Sequence, residues 1–179
     1  MAETGLVRKV AFATAESSIP TLPALGANIS YSSPWTTTLG GQPGASDDAY
    51  LSADSISIEP LHEDVDIDPP LAQNVQDQIV IKNGISMVSF TVYSISKEVF
   101  ALSSTGVLAS NVVEEGTTIT YRAMVVEITG KGILYFPKVR VMLKAVEGAV
   151  KELATVGFEC KVFGTTTIPS GYQWHTFNG

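Results

Sequence analysis

Charge is what this sequence has least of. Only 16% of its 179 residues are Asp, Glu, Lys or Arg, against about 25% in an average soluble domain. Cysteine is nearly missing: Cys160 is the single one, so no internal disulfide can brace the chain. It stands in an alternating apolar segment, where a cysteine reads as a small buried hydrophobe and not as a reactive thiol. Histidine occurs twice, as His62 and His175, in neither H-x3-H nor H-E-x-x-H spacing, which argues against a zinc site. No apolar run approaches the ~18 residues of a membrane span. The start, Met1-Ala2-Glu3-Thr4, lacks the basic and apolar regions of a secretory signal. The expectation is a protein folded in a cytoplasm, off the membrane, with no metal and no cofactor.

Catalytic motifs are equally scarce. Gly40-Gly41 and Gly130-Lys131-Gly132 fit neither a phosphate loop nor a dinucleotide fingerprint. Ser94-Ile95-Ser96-Lys97 matches S-x-x-K, but the companion motifs of that enzyme class are absent, and helix capping by Ser96 accounts for the residues. Asp64, Asp66 and Asp68 alternate along an extended chain, so their carboxylates share one face. They lack the turn glycine and the terminal Glu of an EF-hand, and a solvated acidic stripe is the reading adopted. No catalytic residue is assigned, and the chain is read as a non-enzyme. A glycosidase-type carboxylate pair is the one constellation its residues leave open.

What is present is apolar surface and a lopsided charge distribution. Hydrophobic residues make up 45% of the chain, enough for one domain with its own core. Net charge is −7, which disfavours sequence-specific binding to phosphate backbones. Residues 1–78 hold 11 acidic and two basic side chains, whereas residues 79–179 hold 7 acidic and 9 basic. Asp47, Asp48, Asp54, Glu59, Glu63, Asp64, Asp66, Asp68 and Asp77 follow one another with no Lys or Arg between them. Regions of opposite sign suit a subunit that meets its own copies head to tail.

Periodicity gives the fold class: mainly β, a two-sheet sandwich or barrel-like domain with one short flanking helix and a long acidic loop. A single domain spans 1–179. Residues 1–31 form an N-terminal strand and arm, with Val10 and Phe12 on one side of the strand. Residues 32–76 form the long acidic loop region, rich in Ser, Gly and Pro and broken by one short strand at Ser55–Ile58. Residues 77–179 form the β core. There Ile79–Lys82 and Val88–Tyr93 alternate on either side of Asn83-Gly84, a hairpin signal. Further strands are expected over Thr117–Thr129 and Gly132–Lys144, joined by the turn Thr129–Gly132, and over Thr155–Phe163. A helix is expected at 96–103, capped by Ser96, with Val99 and Leu102 on one face and Gly106 as its stop.

The order of these pieces resembles the major tail-tube proteins of long-tailed bacteriophages, a family similar in fold to type VI secretion tube proteins. An early strand leads to Pro34-Trp35-Thr36-Thr37-Thr38-Leu39-Gly40 and an acidic stretch. A strand, Asn-Gly and strand follow, then the helix, two long strands and a closing strand. The resemblance implies six-subunit rings that stack head to tail into a tube. It implies contacts with other tail proteins, and a lumen through which DNA passes without specific binding. The expected localisation is the virion tail, after assembly in the host cytoplasm. A capsid decoration or tail-completion protein, or a small ligand-binding β-barrel, are the alternatives.

Lys138, Arg140 and Lys144 share one strand face, opposite Val139, Val141 and Leu143, which are expected in the core. The assembly site is therefore read as the nine acidic residues above on one subunit, received by Lys138, Arg140 and Lys144 on a neighbour.

Overall fold

The computed structural model describes residues 7–40, 47–51, 56–67, 78–93, 97–103, 106–109, 112–114, 119–148, 150 and 154–178. Of residues 60–67, 78–83, 97, 106–109 and 112–114 it describes the backbone. The chain is mainly β, as its alternation implies. The strands are β1 (Val7–Thr14), β2 (Thr37–Gly40), β3 (Ala49–Leu51), β4 (Ser57–Ile67), β5 (Gln78–Tyr93), β6 (Gly106–Ala109), β7 (Val112–Glu114), β8 (Arg122–Ile128), β9 (Gly132–Glu147), β10 (Thr155–Val162) and β11 (Gln173–Thr176). One helix, α1 (Lys97–Phe100), follows β5.

Of the sandwich and barrel forms, the barrel is the one found. The strand order β10-β5-β3-β2-β1-β8-β9 closes on itself through the β9–β10 pairing. From Tyr93 the registers run one way through Tyr50, Gly40, Lys9 and Glu127 to Ile133, and the other way through Thr155 to Glu147. Opposite ends of β9 therefore meet the same level of β5, and the strands are strongly staggered around the barrel. β11 adds to β9, β4 adds to β5, and β6 and β7 form a separate ribbon.

Two cores result from the two faces of this sheet. Inside the barrel, Val10, Phe12, Leu39, Val88, Phe90, Val92, Met124, Val126, Phe136, Val139, Phe158 and Cys160 are buried together. Each such side chain contributes about 1.5–3 kcal/mol on leaving water. On the outer face, β1 and β8 present the small residues Ala11, Ala13, Ala123 and Val125. Their size lets the segment between β1 and β2 lie flat on the sheet, carrying Ile29 and Trp35 into a second core with Tyr135 and Phe177. Trp35 Nε1 donates to the carbonyl of Ser18 at 2.8 Å and Tyr135 Oη to that of Ser17 at 2.6 Å, so both buried polar tips are satisfied.

Several expectations need correcting. Residues 32–76 are not loop throughout: β2, β3 and β4 fall inside them, and the strand expected at Ser55–Ile58 runs instead from Ser57 to Ile67. Asn83-Gly84 makes no turn, because β5 runs straight through it. Leu61 pairs with Gly84 and His62 with Asn83 in the β4–β5 ladder. The helix is shorter than expected. Leu102 N–H bonds the Val99 carbonyl in the turn that follows it, and Ser96 lies outside the described residues. Val99 and Leu102 do share a buried face. Leu143 was expected inside and is 47% exposed. It stands at the β9–β10 register shift, where a bulge takes the strand off its regular pleat. Pro137 is tolerated mid-strand because the β8–β9 register also shifts beside it.

Candidate functional site

β10 covers Met87–Tyr93 of β5, and β3 covers Val92 and Tyr93. Residues 78–86 pair with β4 and with no other strand among the described residues. β4 and β5 thus leave the barrel as a two-stranded arm. Glu59 is exposed at its base, and Glu63, Asp64 and Asp66 lie on its backbone ladder opposite Lys82, Ile81 and Ile79. Asp54, Asp68 and Asp77 lie outside the described residues.

The receiving row divides. Lys138 Nζ sits over the Tyr121 ring, 4.4 Å from its centroid. Lys144 Nζ is 3.3 Å from Glu159 of its own chain, and Arg140 is half-buried. Glu16, Lys138, Gly164, Thr165 and Thr166 line an open cleft of about 430 Å³. The expected face is real, with Val139 and Val141 buried behind it, yet Lys144 already has a partner.

Asp47 and Asp48 leave the acidic set altogether. Lys9 Nζ donates to Asp47 Oδ1 at 2.7 Å, and Thr38 Oγ1 donates to the same oxygen at 2.9 Å. The Asp47 side chain is 1% exposed and that of Lys9 17%. Asp48 Oδ2 accepts the Thr38 N–H at 2.9 Å. Asp47 Oδ2 has no hydrogen-bond partner among the described residues. A β-carbon on Gly40 would collide with it, so only glycine admits the carboxylate here.

One strand over, Glu127 is fully buried. It accepts Arg8 Nη1 at 3.1 and 3.3 Å, the Ile29 N–H at 3.1 Å and the Tyr31 hydroxyl at 2.8 Å. Burial, and then the charge of Glu127, push the Tyr31 hydroxyl far above the usual tyrosine range, and Asp47 adds to the same effect. The register sets Lys9 directly opposite Glu127. Two cations and two carboxylates therefore meet on the outer barrel face, under the covering segment. Arg8, Lys9, Tyr31 and Glu127 were not singled out by the sequence reading. Their trace is a lone Glu in the apolar run Ala123–Ile128, and the only two basic residues of the first 78. A carboxylate in a buried strand requires such partners.

The other candidates are quiet. Cys160 is buried, and desolvation raises its thiol well above the ordinary range. His175 Nε2 lies 3.0 Å from Gln173 Oε1. Ser94, like Ser96, lies outside the described residues, as does the side chain of His62. No group of three His, Cys, Asp or Glu side chains suited to a metal occurs among the described residues. Among these residues no helix is long and apolar enough to cross a membrane. No protein-family model matches the sequence, and the search of curated proteins returned no match.

Proposed function

We propose that this chain is a self-assembling structural subunit of the tail-tube kind, forming six-membered rings that stack head to tail in a virion tail around a lumen that passes DNA. The β4–β5 arm carries this reading. Beyond Glu59, β4 and the first half of β5 build a ladder that no other strand among the described residues joins, while Ile58 and Ile85 at its base pack against the barrel core. A ladder whose outer strand has no second neighbour among the described residues is a liability in an isolated molecule and an asset in an assembly that covers it. The filled barrel interior supports the same reading. The alternative of a ligand-binding barrel calls for a cavity within the strands, and here apolar side chains occupy that space.

Glu59, which is exposed, and the ladder positions Glu63, Asp64 and Asp66 are the acidic positions that a neighbour meets. Lys138, over the Tyr121 ring, and the half-buried Arg140 are the basic side chains of that row open to it, Lys144 being engaged with Glu159. In this reading the protein has no catalytic step. Electron microscopy of the purified chain, with light scattering, tests it: six-fold rings or tubes are expected. Replacing residues 63–82 by Asn-Gly closes the arm between the paired residues His62 and Asn83 and should leave a folded monomer. Strict monomers or trimers of the full chain at high concentration, or normal tubes from the shortened one, would sink the proposal.

A further inference from the structure

The geometry points to an intramolecular amide cross-link between Lys9 Nζ and Asp47 Cγ, formed by the folded chain itself with Glu127 as proton relay. Four observations meet at this place. The amine and the carboxylate are in contact at 2.7 Å, and both are largely withdrawn from water. Asp47 Oδ1 is held by Thr38 Oγ1, whereas Asp47 Oδ2 is buried with no partner among the described residues. Glu127 stands opposite Lys9 in the β1–β8 register. Residues so paired project to the same face with β-carbons about 4.5–5.5 Å apart. Tyr31, bonded to Glu127, also feels Asp47, so the two carboxylates share one neighbourhood.

The step is a condensation. Glu127, in contact with Arg8 at 3.1 Å, takes one proton from the Lys9 ammonium. The free amine attacks Asp47 Cγ, forming the C–N bond. Thr38 Oγ1 keeps its hydrogen bond to Oδ1 as negative charge develops there. The nitrogen loses a second proton, and both protons end on Oδ2, which leaves as water when its C–O bond breaks. Glu127 returns to its starting state, and nothing is oxidised or reduced.

Amide formation between a free amine and a free carboxylate is unfavourable in water. Here the fold holds the two groups together, and effective molarities of about 10⁵–10⁸ M are typical of well-oriented pairs. The product also removes two charges from a buried site and leaves a carbonyl that Thr38 already satisfies. Such a bond would tie β1 to the segment entering β3 in a chain whose one cysteine cannot do so. The inference stands apart from the assembly reading, since a monomer would form the bond equally well.

Intact-mass measurement of the folded protein, transferred to denaturant, tests it directly. The wild-type chain should weigh less than its sequence by one water, and tandem fragmentation should show a branched peptide joining Lys9 to Asp47. Lys9→Arg and Asp47→Ala should restore the full mass. Glu127→Gln should restore it or delay the loss. A wild-type chain of full sequence mass overturns the proposal, and that measurement requires no variant to fold. So does a mass deficit that persists in Lys9→Arg, or one that fragmentation places at other residues.

Discussion

Gly84 lies against the carbonyl of Ser170: a β-carbon on Gly84 would sit 2.9 Å from that oxygen. The glycine is there to let the loop between β10 and β11 approach β5 closely, and the chain does not turn at it. Gly84→Ala should therefore force the two segments apart and cost on the order of 1–2 kcal/mol, as overpacking does. Urea denaturation of the variant measures it. An unchanged midpoint would contradict the contact.

Glu127 gives the largest expected loss. Glu127→Leu removes the acceptor of Arg8, Ile29 and Tyr31 together. Breaking a buried pair by deleting one partner costs roughly 3–5 kcal/mol. The low end applies because Arg8 is 28% exposed and can rehydrate. The covering segment between β1 and β2 should loosen first, seen as faster amide exchange at Ile29 than at Val125.

Alkali should weaken the fold. Burial raises the Cys160 thiol, and the Tyr31 and Tyr135 hydroxyls are raised too, by burial first. An unfolded thiol ionises near pH ~8.5 and an unfolded tyrosine near ~10. Above those values the unfolded state binds fewer protons than the folded one, so stability falls as pH rises. Thermal melts from neutral pH upward should show a declining midpoint beginning near pH ~8.5. Alkylation of Cys160 should be negligible until the chain unfolds.

Lys144→Ala should do little to the isolated chain. Its partner Glu159 is 29% exposed and Lys144 itself 58%, and pairs of this kind are worth about 0–1 kcal/mol. A loss well above that range would mean that the pair does more than decorate the surface.

The alternation of Val10 and Phe12, of Val139 and Val141, and of Val156, Phe158 and Cys160 already declared β strands and named their inner face. Residue identity determines this, because side chains of a strand point to opposite sides by turns. Val99 and Leu102 announced the helix face for a similar reason. The single cysteine and the lone Glu of β8 were likewise readable, although the partners of that Glu were not.

Closure of the sheet was decided only in three dimensions, since the pairings of β1 with β8, β3 with β5 and β5 with β10 link residues far apart in the chain. So was the fate of Asp47. In sequence it is the first of nine acidic residues with no Lys or Arg among them. In the fold it is buried against Lys9 and Thr38, because β2 runs beside β1 and β3 beside β2. Gly84 belongs to the same class. Its neighbours in sequence signal a turn, and the backbone of Ser170, 86 positions away, requires a glycine in a straight strand. Local pattern sets which face of a strand is apolar; long-range register decides which charges meet, and that is a property of the closed barrel alone.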